Sequence, residues 1–182
     1  MKYSFLILFL TILSCQEKPA PIGPVETLSK IDYDQKLADL NIELPEISAP
    51  IANFSHITQS GKILYLAGKG PKMNTGEYIK GKVGQDISIE EAYRASRQVA
   101  ILQLAVLKTH LGDLNKVKRI LKVTGMVNAT PDFENHPEVI NGFSDLMVEV
   151  FGENGKHARA AVGMGSLPRN ICVEIDAIVE IH

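Results

Sequence analysis

Arg159 and Glu174 are the residues of this chain whose types and spacing point most directly to chemistry on a small ligand. They belong to one C-terminal stretch. It runs from His157-Ala158-Arg159-Ala160-Ala161-Val162-Gly163 through Leu167-Pro168-Arg169-Asn170 into an alternating segment that ends at His182. An arginine presents a rigid fork of donors that matches a carboxylate. A nearby glutamate is able to hold a water molecule or take its proton. Read as a β-hairpin with residues 167–170 as the loop, the stretch pairs odd positions before the loop with even positions after it. Arg159 then shares a face with Glu174, while Val162 and Met164 share the apolar face with Val173 and Ile175. The same spacing suits a plain cross-strand ion pair, worth under about 1 kcal/mol on a protein surface.

The remaining reactive residue types form no comparable group. The histidines His56, His110, His136, His157 and His182 show no metal-ligand spacing, and Cys172 has no second cysteine nearby, so no metal site is expected. His157 stands two residues before Arg159, hence on the same side of an extended strand, at the rim of any site there. Gly68-Lys69-Gly70 reads as a turn, because no phosphate-loop pattern surrounds it.

The elements that must position Arg159 and Glu174 follow from hydrophobic period and caps. Residues 32–40 suit a short helix with Leu37 and Leu40 on one side, and Pro45 marks the exit. Residues 63–67 are an apolar run between Gly61 and Gly68-Lys69-Gly70-Pro71, which predicts a buried strand, and Asn74-Thr75-Gly76 is a turn. Ser88 with Glu91 makes a capping box, after which Ala92, Ala95, Val99, Leu102 and Val106 recur at helical spacing until Gly112. A strand rich in β-branched residues over 117–127 leads to a helix that opens at Pro137 and ends at Gly152, burying Phe143, Met147 and Val150. Ile171, Val173, Ile175, Ala177, Val179 and Ile181 then alternate with Cys172, Glu174, Asp176, Ile178 and Glu180, giving one core face and one largely polar face. The order strand, strand, helix, strand, helix, strand, strand predicts an α+β domain, a mixed or antiparallel sheet with two main helices packed on one face. Its polar second face is left for solvent or for a partner subunit.

The chain has 182 residues, 45% hydrophobic and 22% charged, which is one domain's worth of ordinary globular composition. A formal net charge of −2 without a Lys/Arg cluster argues against nucleic acid as a partner. The first fourteen residues are different. Lys2 precedes an apolar run over 5–13, and Ile12-Leu13-Ser14-Cys15 closes it like a lipobox, so 1–14 is expected to be a lipoprotein signal peptide. The run is well short of the roughly 20 residues a membrane-spanning helix requires. Lipid on Cys15 would anchor the mature chain to a bacterial cell-envelope membrane, on its periplasmic or surface side. Cys172 would then be the one remaining thiol, with no disulfide to make. Residues 15–31 are polar and Pro-rich, a tether, and 32–182 form the domain.

At Ala158-Arg159-Ala160-Ala161-Val162, Leu167-Pro168 and Val173-Glu174-Ile175 the chain resembles the RidA/YjgF family, a group often labelled endoribonuclease L-PSP. The likeness extends from about Leu37 to His182 through Gly81-Lys82-Val83-Gly84, Leu111-Gly112-Asp113-Leu114, Val123-Thr124-Gly125 and Asn141-Gly142-Phe143-Ser144-Asp145. It implies a chorismate-mutase-like fold in which three subunits join their sheets into a central barrel, with ligand sites in the clefts between them. By this resemblance Arg159 grips a substrate carboxylate, Glu174 orders the attacking water, and Asn141 lines the cleft. The implied reaction is hydrolysis of a small enamine or imine to a keto acid and ammonia, without a cofactor.

The sequence departs from the pattern of the deaminases at three cleft positions. Phe54 stands where they usually carry a tyrosine, Ala67 where a serine is common, and Ala161 where a cysteine is frequent. The chain is similar to a longer subgroup rather than to the short deaminases. Three functions are therefore carried forward. The first is a hydrolase of carboxylate-bearing imines, and the second a non-catalytic binder of small carboxylates in the same cleft. The third, an endoribonuclease, ranks last because the basic, aromatic-lined groove of an RNA binder is missing from the sequence.

Overall fold

Ser88 opens the longest helix: its hydroxyl accepts from the Glu91 backbone N–H at 3.2 Å, and the Glu91 carboxylate accepts from the Ser88 N–H at 2.9 Å. In the computed structural model, which describes residues 32–182, this reciprocal cap starts helix α2 (Ile89–Leu111), and Gly112 ends it in the left-handed region at φ 76°. The other elements are helix α1 (Tyr33–Asp39), strands β1 (Ile57–Ser60), β2 (Ile63–Lys69) and β3 (Val117–Asn128), helix α3 (His136–Phe151), and strands β4 (Ala158–Met164) and β5 (Val173–Ile181). Three short 3₁₀ turns, Leu114–Lys116, Gly152–Gly155 and Pro168–Asn170, lead into β3, β4 and β5. The expected signal peptide, the tether and Cys15 lie outside the described residues. No helix among the described residues is long and apolar enough to cross a membrane.

The five strands form one mixed sheet in the order β1-β2-β5-β3-β4. All neighbours run antiparallel except β3 and β4, which are parallel. Helices α2 and α3 pack together and cover one face, as an α+β domain of this element order requires. Val173, Ile175, Ala177 and Val179 are buried beneath them, whereas Glu174, Asp176, Ile178 and Glu180 point to the uncovered face. This is the division that the alternation of β5 implies. Tyr33, Leu37 and the apolar faces of α2 and α3 complete the core, with Tyr33 edge-on to Phe151 at a ring separation of 5.0 Å.

The hairpin expected between residues 157–163 and the last strand does not form. Helix α3 carries the chain back along the sheet after β3, and a strand that follows such a crossover is delivered parallel to the one before it. Strand β4 therefore takes the outer side of β3, with Val123 opposite Arg159 and Met126 opposite Val162. The Pro168–Asn170 turn, with Arg169 and Asn170 at φ 57° and 59°, then sends β5 to the inner side of β3, between β3 and β2.

Two consequences overturn the register arithmetic. Val162 and Met164 are not core residues but stand 41% and 36% exposed on the uncovered face. Arg159 and Glu174 do not share a face. Arg159 is paired with Val123, whose side chain lies under the helices, while Glu174 is paired with Met126 on the other side of the sheet.

Candidate functional site

Helix α3 presents Asn141 and Ser144 three residues apart, hence on one face of the helix, and that face looks onto β4. Gly142 sets how closely α3 lies on α2, because a Cβ there would run into the backbone carbonyl of Tyr93. Two polar ties fix the same pair of helices. Arg97 makes a bidentate ion pair with Glu149 at 2.6 and 3.0 Å, and the Tyr93 hydroxyl donates to Asp145 at 2.8 Å. Across the sheet, Gly125 lacks the side chain that would strike Ile140, so α3 also sits low over β3.

Arg159 extends toward this helix face. Its Nη1 donates to Asn141 Oδ1 at 2.8 Å and to Ser144 Oγ at 3.1 Å. Ser144 Oγ is in turn 3.0 Å from His157 Nε2, and His157 Nδ1 is 2.7 Å from the Gly155 carbonyl. Burial lowers the His157 pKa below the ordinary histidine value, and the neighbouring Arg159 charge adds to the effect, although the Gly155 contact opposes both. Ala161 lies two residues on, part-buried against the core opposite Gly125. No carboxylate among the described residues pairs with Arg159, in contrast to Arg97. Its charge is met by neutral acceptors, and its Nε and Nη2 donors are not taken by any described residue.

Glu174 occupies a different environment. On the uncovered face its side chain lies over Gly68, whose missing Cβ leaves room for the carboxyl group. Burial raises the Glu174 pKa above the usual carboxylate value, and the adjacent Asp176 charge raises it further. The strand beneath is irregular: the pairing of β2 with β5 shifts between Leu66 and Lys69. Gln103 of α2, wholly buried, spans that shift, its Nε2 donating to the Ala67 carbonyl at 2.9 Å and to the Ile175 carbonyl at 3.1 Å.

Phe54 and Ala67 lie at the other edge of the sheet from Arg159. The Phe54 ring is 49% exposed and edge-on to His56 at 6.0 Å, and the Ala67 N–H donates to the His56 carbonyl at 3.0 Å. His56 also receives Lys69 Nζ at 2.6 Å on its Nδ1, and its Nε2 is 2.8 Å from the Ser48 carbonyl. Of the residues singled out in the sequence, the structure thus assembles Asn141, Arg159 and Ala161 at the β4 edge. It gathers Phe54 and Ala67 at the β1–β2 edge, and sets Glu174 between them on the uncovered face.

Sequence reasoning missed Ser144 and Gln103. Each left a signal: Ser144 follows Asn141 at helical spacing, and Gln103 is a polar residue four positions after Val99 within the apolar stripe of α2. The one thiol among the described residues, Cys172, is not a nucleophile, since burial pushes its pKa up to about 12.

Comparison with known proteins places this geometry. Residues 34–180 match the family described as "YjgF/chorismate_mutase-like, putative endoribonuclease". The chain is 40% identical over 147 residues to Protein TCP17 of Trypanosoma cruzi, covering 80% of this chain and 92% of that protein. It is 29% identical over 143 residues to the 2-iminobutanoate/2-iminopropanoate deaminase of Dermatophagoides farinae, covering 78% of this chain and 95% of the deaminase. The crystal structure of Atu1372 from Agrobacterium tumefaciens superposes with a TM-score of 0.76 at 44% identity, over 83% of this chain and 94% of Atu1372. With a match that spans most of its length and a sheet and helices arranged in the same way, the chain belongs to the YjgF/chorismate-mutase-like family.

Proposed function

We propose that the chain hydrolyses small enamines or imines that carry a carboxylate, releasing a keto acid and ammonia. The observation that carries this reading is Arg159: a guanidinium with no acidic partner among the described residues, pinned at Nη1 by two neutral side chains and with its Nε–Nη2 edge taken by none of them. That edge offers two parallel donors to a carboxylate. The deaminase relative, whose name specifies 2-iminobutanoate and 2-iminopropanoate, supports the choice of substrate class.

In this reading Arg159 clamps the carboxylate, and Glu174, with its raised pKa, takes a proton from the attacking water and returns it to the leaving nitrogen. Because Arg159 and Glu174 occupy opposite faces of one sheet, a working cleft needs a second copy of the chain. A ring of three subunits would lay the β1–β2 edge of one against the β4 edge of the next, bringing Phe54 and Ala67 to Asn141, Arg159 and Ala161. The apolar side chains left on the uncovered face, Tyr65 at 49% exposed together with Val162 and Met164, support such an assembly. Lipid on Cys15 would hold the ring to a cell-envelope membrane.

The second reading is a carboxylate-binding module without turnover, and Phe54 and Ala67 favour it, since neither offers a hydroxyl to a water or an imine nitrogen. The deciding experiment supplies imines with an amino-acid oxidase and follows keto acid formation by the purified domain. Acceleration above the spontaneous rate, lost on replacing Arg159 or Glu174, sustains the hydrolase. A rate equal to background together with measurable binding of 2-oxobutanoate leaves the binding module.

A further inference from the structure

The hydrogen-bond chain behind Arg159 has a fixed direction. A backbone carbonyl only accepts, so the His157 nitrogen 2.7 Å from Gly155 O, Nδ1, carries the ring proton. In the neutral ring Nε2 is then an acceptor, and the Ser144 hydroxyl 3.0 Å away donates to it. With its proton committed, Ser144 Oγ turns a lone pair to Arg159 Nη1 at 3.1 Å. Asn141 Oδ1 takes the other Nη1 hydrogen at 2.8 Å. Both Nη1 hydrogens are engaged, which leaves the Nε–Nη2 side of the guanidinium as the bidentate edge.

We propose that Ser144 and His157 are positioning residues for Arg159: His157 directs the Ser144 lone pair, Ser144 holds Nη1, and the Nε–Nη2 edge is thereby presented to the ligand carboxylate. This rests on reading Arg159 as the carboxylate grip. It goes further by naming the edge that is used and the two residues that select it, one of them outside contact with the ligand. Long arginine side chains lose affinity when their rotamers are free, so a held fork binds more tightly than a mobile one. His157 is suited to the task because it is part-buried, edge-on to Phe143 at a ring separation of 6.5 Å, and kept neutral by that burial.

The test compares two probes, 2-oxobutanoate and its primary amide, which has nearly the same shape and no charge. Dissociation constants are measured by titration of the purified protein for wild type, Ser144→Ala, Ser144→Thr, His157→Leu and Arg159→Lys, with circular dichroism to confirm folding. Loss of a hydrogen bond that holds a charged group should weaken 2-oxobutanoate about tenfold in Ser144→Ala and His157→Leu, with amide binding unchanged. Ser144→Thr, which restores the hydroxyl, should recover most of that loss. If His157→Leu does not fold, Ser144→Ala and its rescue decide alone. Equal weakening of both probes would make the effect merely structural and overturn the proposal. Wild-type affinity in Ser144→Ala, with Arg159→Lys impaired, overturns the positioning role but leaves the carboxylate grip standing. Unchanged affinity in Arg159→Lys removes the grip itself, and the proposal with it.

Discussion

The Glu174 carboxyl group rests over the backbone of Gly68, in space that exists because residue 68 has no side chain. A methyl group at that position would meet the end of a flexible side chain rather than backbone, so the fold should tolerate it while the carboxyl group moves. Gly68→Ala is expected to cost less than about 1 kcal/mol in chemical denaturation. Under the hydrolase reading it should also lower imine turnover on the order of tenfold, because displacement of the proposed base by a fraction of an ångström is expensive. A variant that keeps full activity would show that the site does not use Glu174 where it stands.

Replacing Glu174 by Gln preserves its shape and removes the proton acceptor. Under the hydrolase reading keto acid production should fall by about 10²-fold or more, with binding of 2-oxobutanoate little changed. Arg159→Lys should do the reverse at the binding step, keeping the charge but losing the Nε–Nη2 edge. Steady-state kinetics beside equilibrium titration separate the two. Hydrolysis that survives Glu174→Gln above background would exclude the assigned base.

The raised pKa of Glu174 also has a thermodynamic signature. The folded chain holds this proton more tightly than the unfolded chain does, so stability declines as pH rises through the window from the ordinary carboxyl value to the raised one, and the deficit persists above it. Glu174→Gln has no such deficit. It should melt higher than wild type at pH 7.5, and the difference should close as the pH is lowered below the ordinary carboxyl range. A difference that grows on acidification would contradict the sign of the shift.

Val162 stands exposed across from Met126 on the face that Glu174 and Tyr65 share. The domain is expected to run as a trimer in light scattering at micromolar concentration. Val162→Lys, which places a charge within that apolar patch, should yield monomers with an intact circular dichroism spectrum. A monomeric wild type would leave Arg159 without the neighbouring chain its cleft requires.

Cys15 closes the expected lipobox, and its replacement by Ala should abolish retention of the protein in the membrane fraction. Cell fractionation with N-terminal sequencing checks this. Retention of Cys15→Ala in the membrane would remove the lipid anchor from the account.

Much of the fold was legible because single elements advertise themselves. The Ser88–Glu91 box and the apolar stripe to Gly112 define α2, Pro137 and Gly152 bracket α3, and the alternation in β5 separates its buried face from its uncovered one. Strand β1 left little trace, since Ile57-Thr58-Gln59-Ser60 offers a single apolar residue. Partnership between strands was harder to read. Periodicity tells which side chains of a strand share a face but not which strand lies alongside. The crossover through α3 that makes β4 a parallel neighbour of β3 is a tertiary fact. The error at Arg159 follows from this, since its face depends on pairing with Val123 rather than with β5. The residues of the candidate site were singled out by type and resemblance, whereas Ser144 and the His157 contact became visible only when α3 was laid over β4.

Strand order has a consequence for how the chain is made. The last nine-residue strand, Val173–Ile181, is the middle of the sheet, and it alone joins the β1–β2 ribbon to the β3–β4 pair. Until that strand is present, the β1–β2 ribbon and the β3–β4 pair share no sheet partner, and the apolar sides of β2 and β3 lie under the α2–α3 pair without the neighbour that aligns them. Folding of the sheet therefore waits on the last of its five strands to be made. A sheet whose keystone is the last of its strands to be made stays open while the other four are synthesised. Removal of this strand should leave two fragments of sheet joined only through the α2–α3 pair, a product for proteases rather than a weakened version of the same domain.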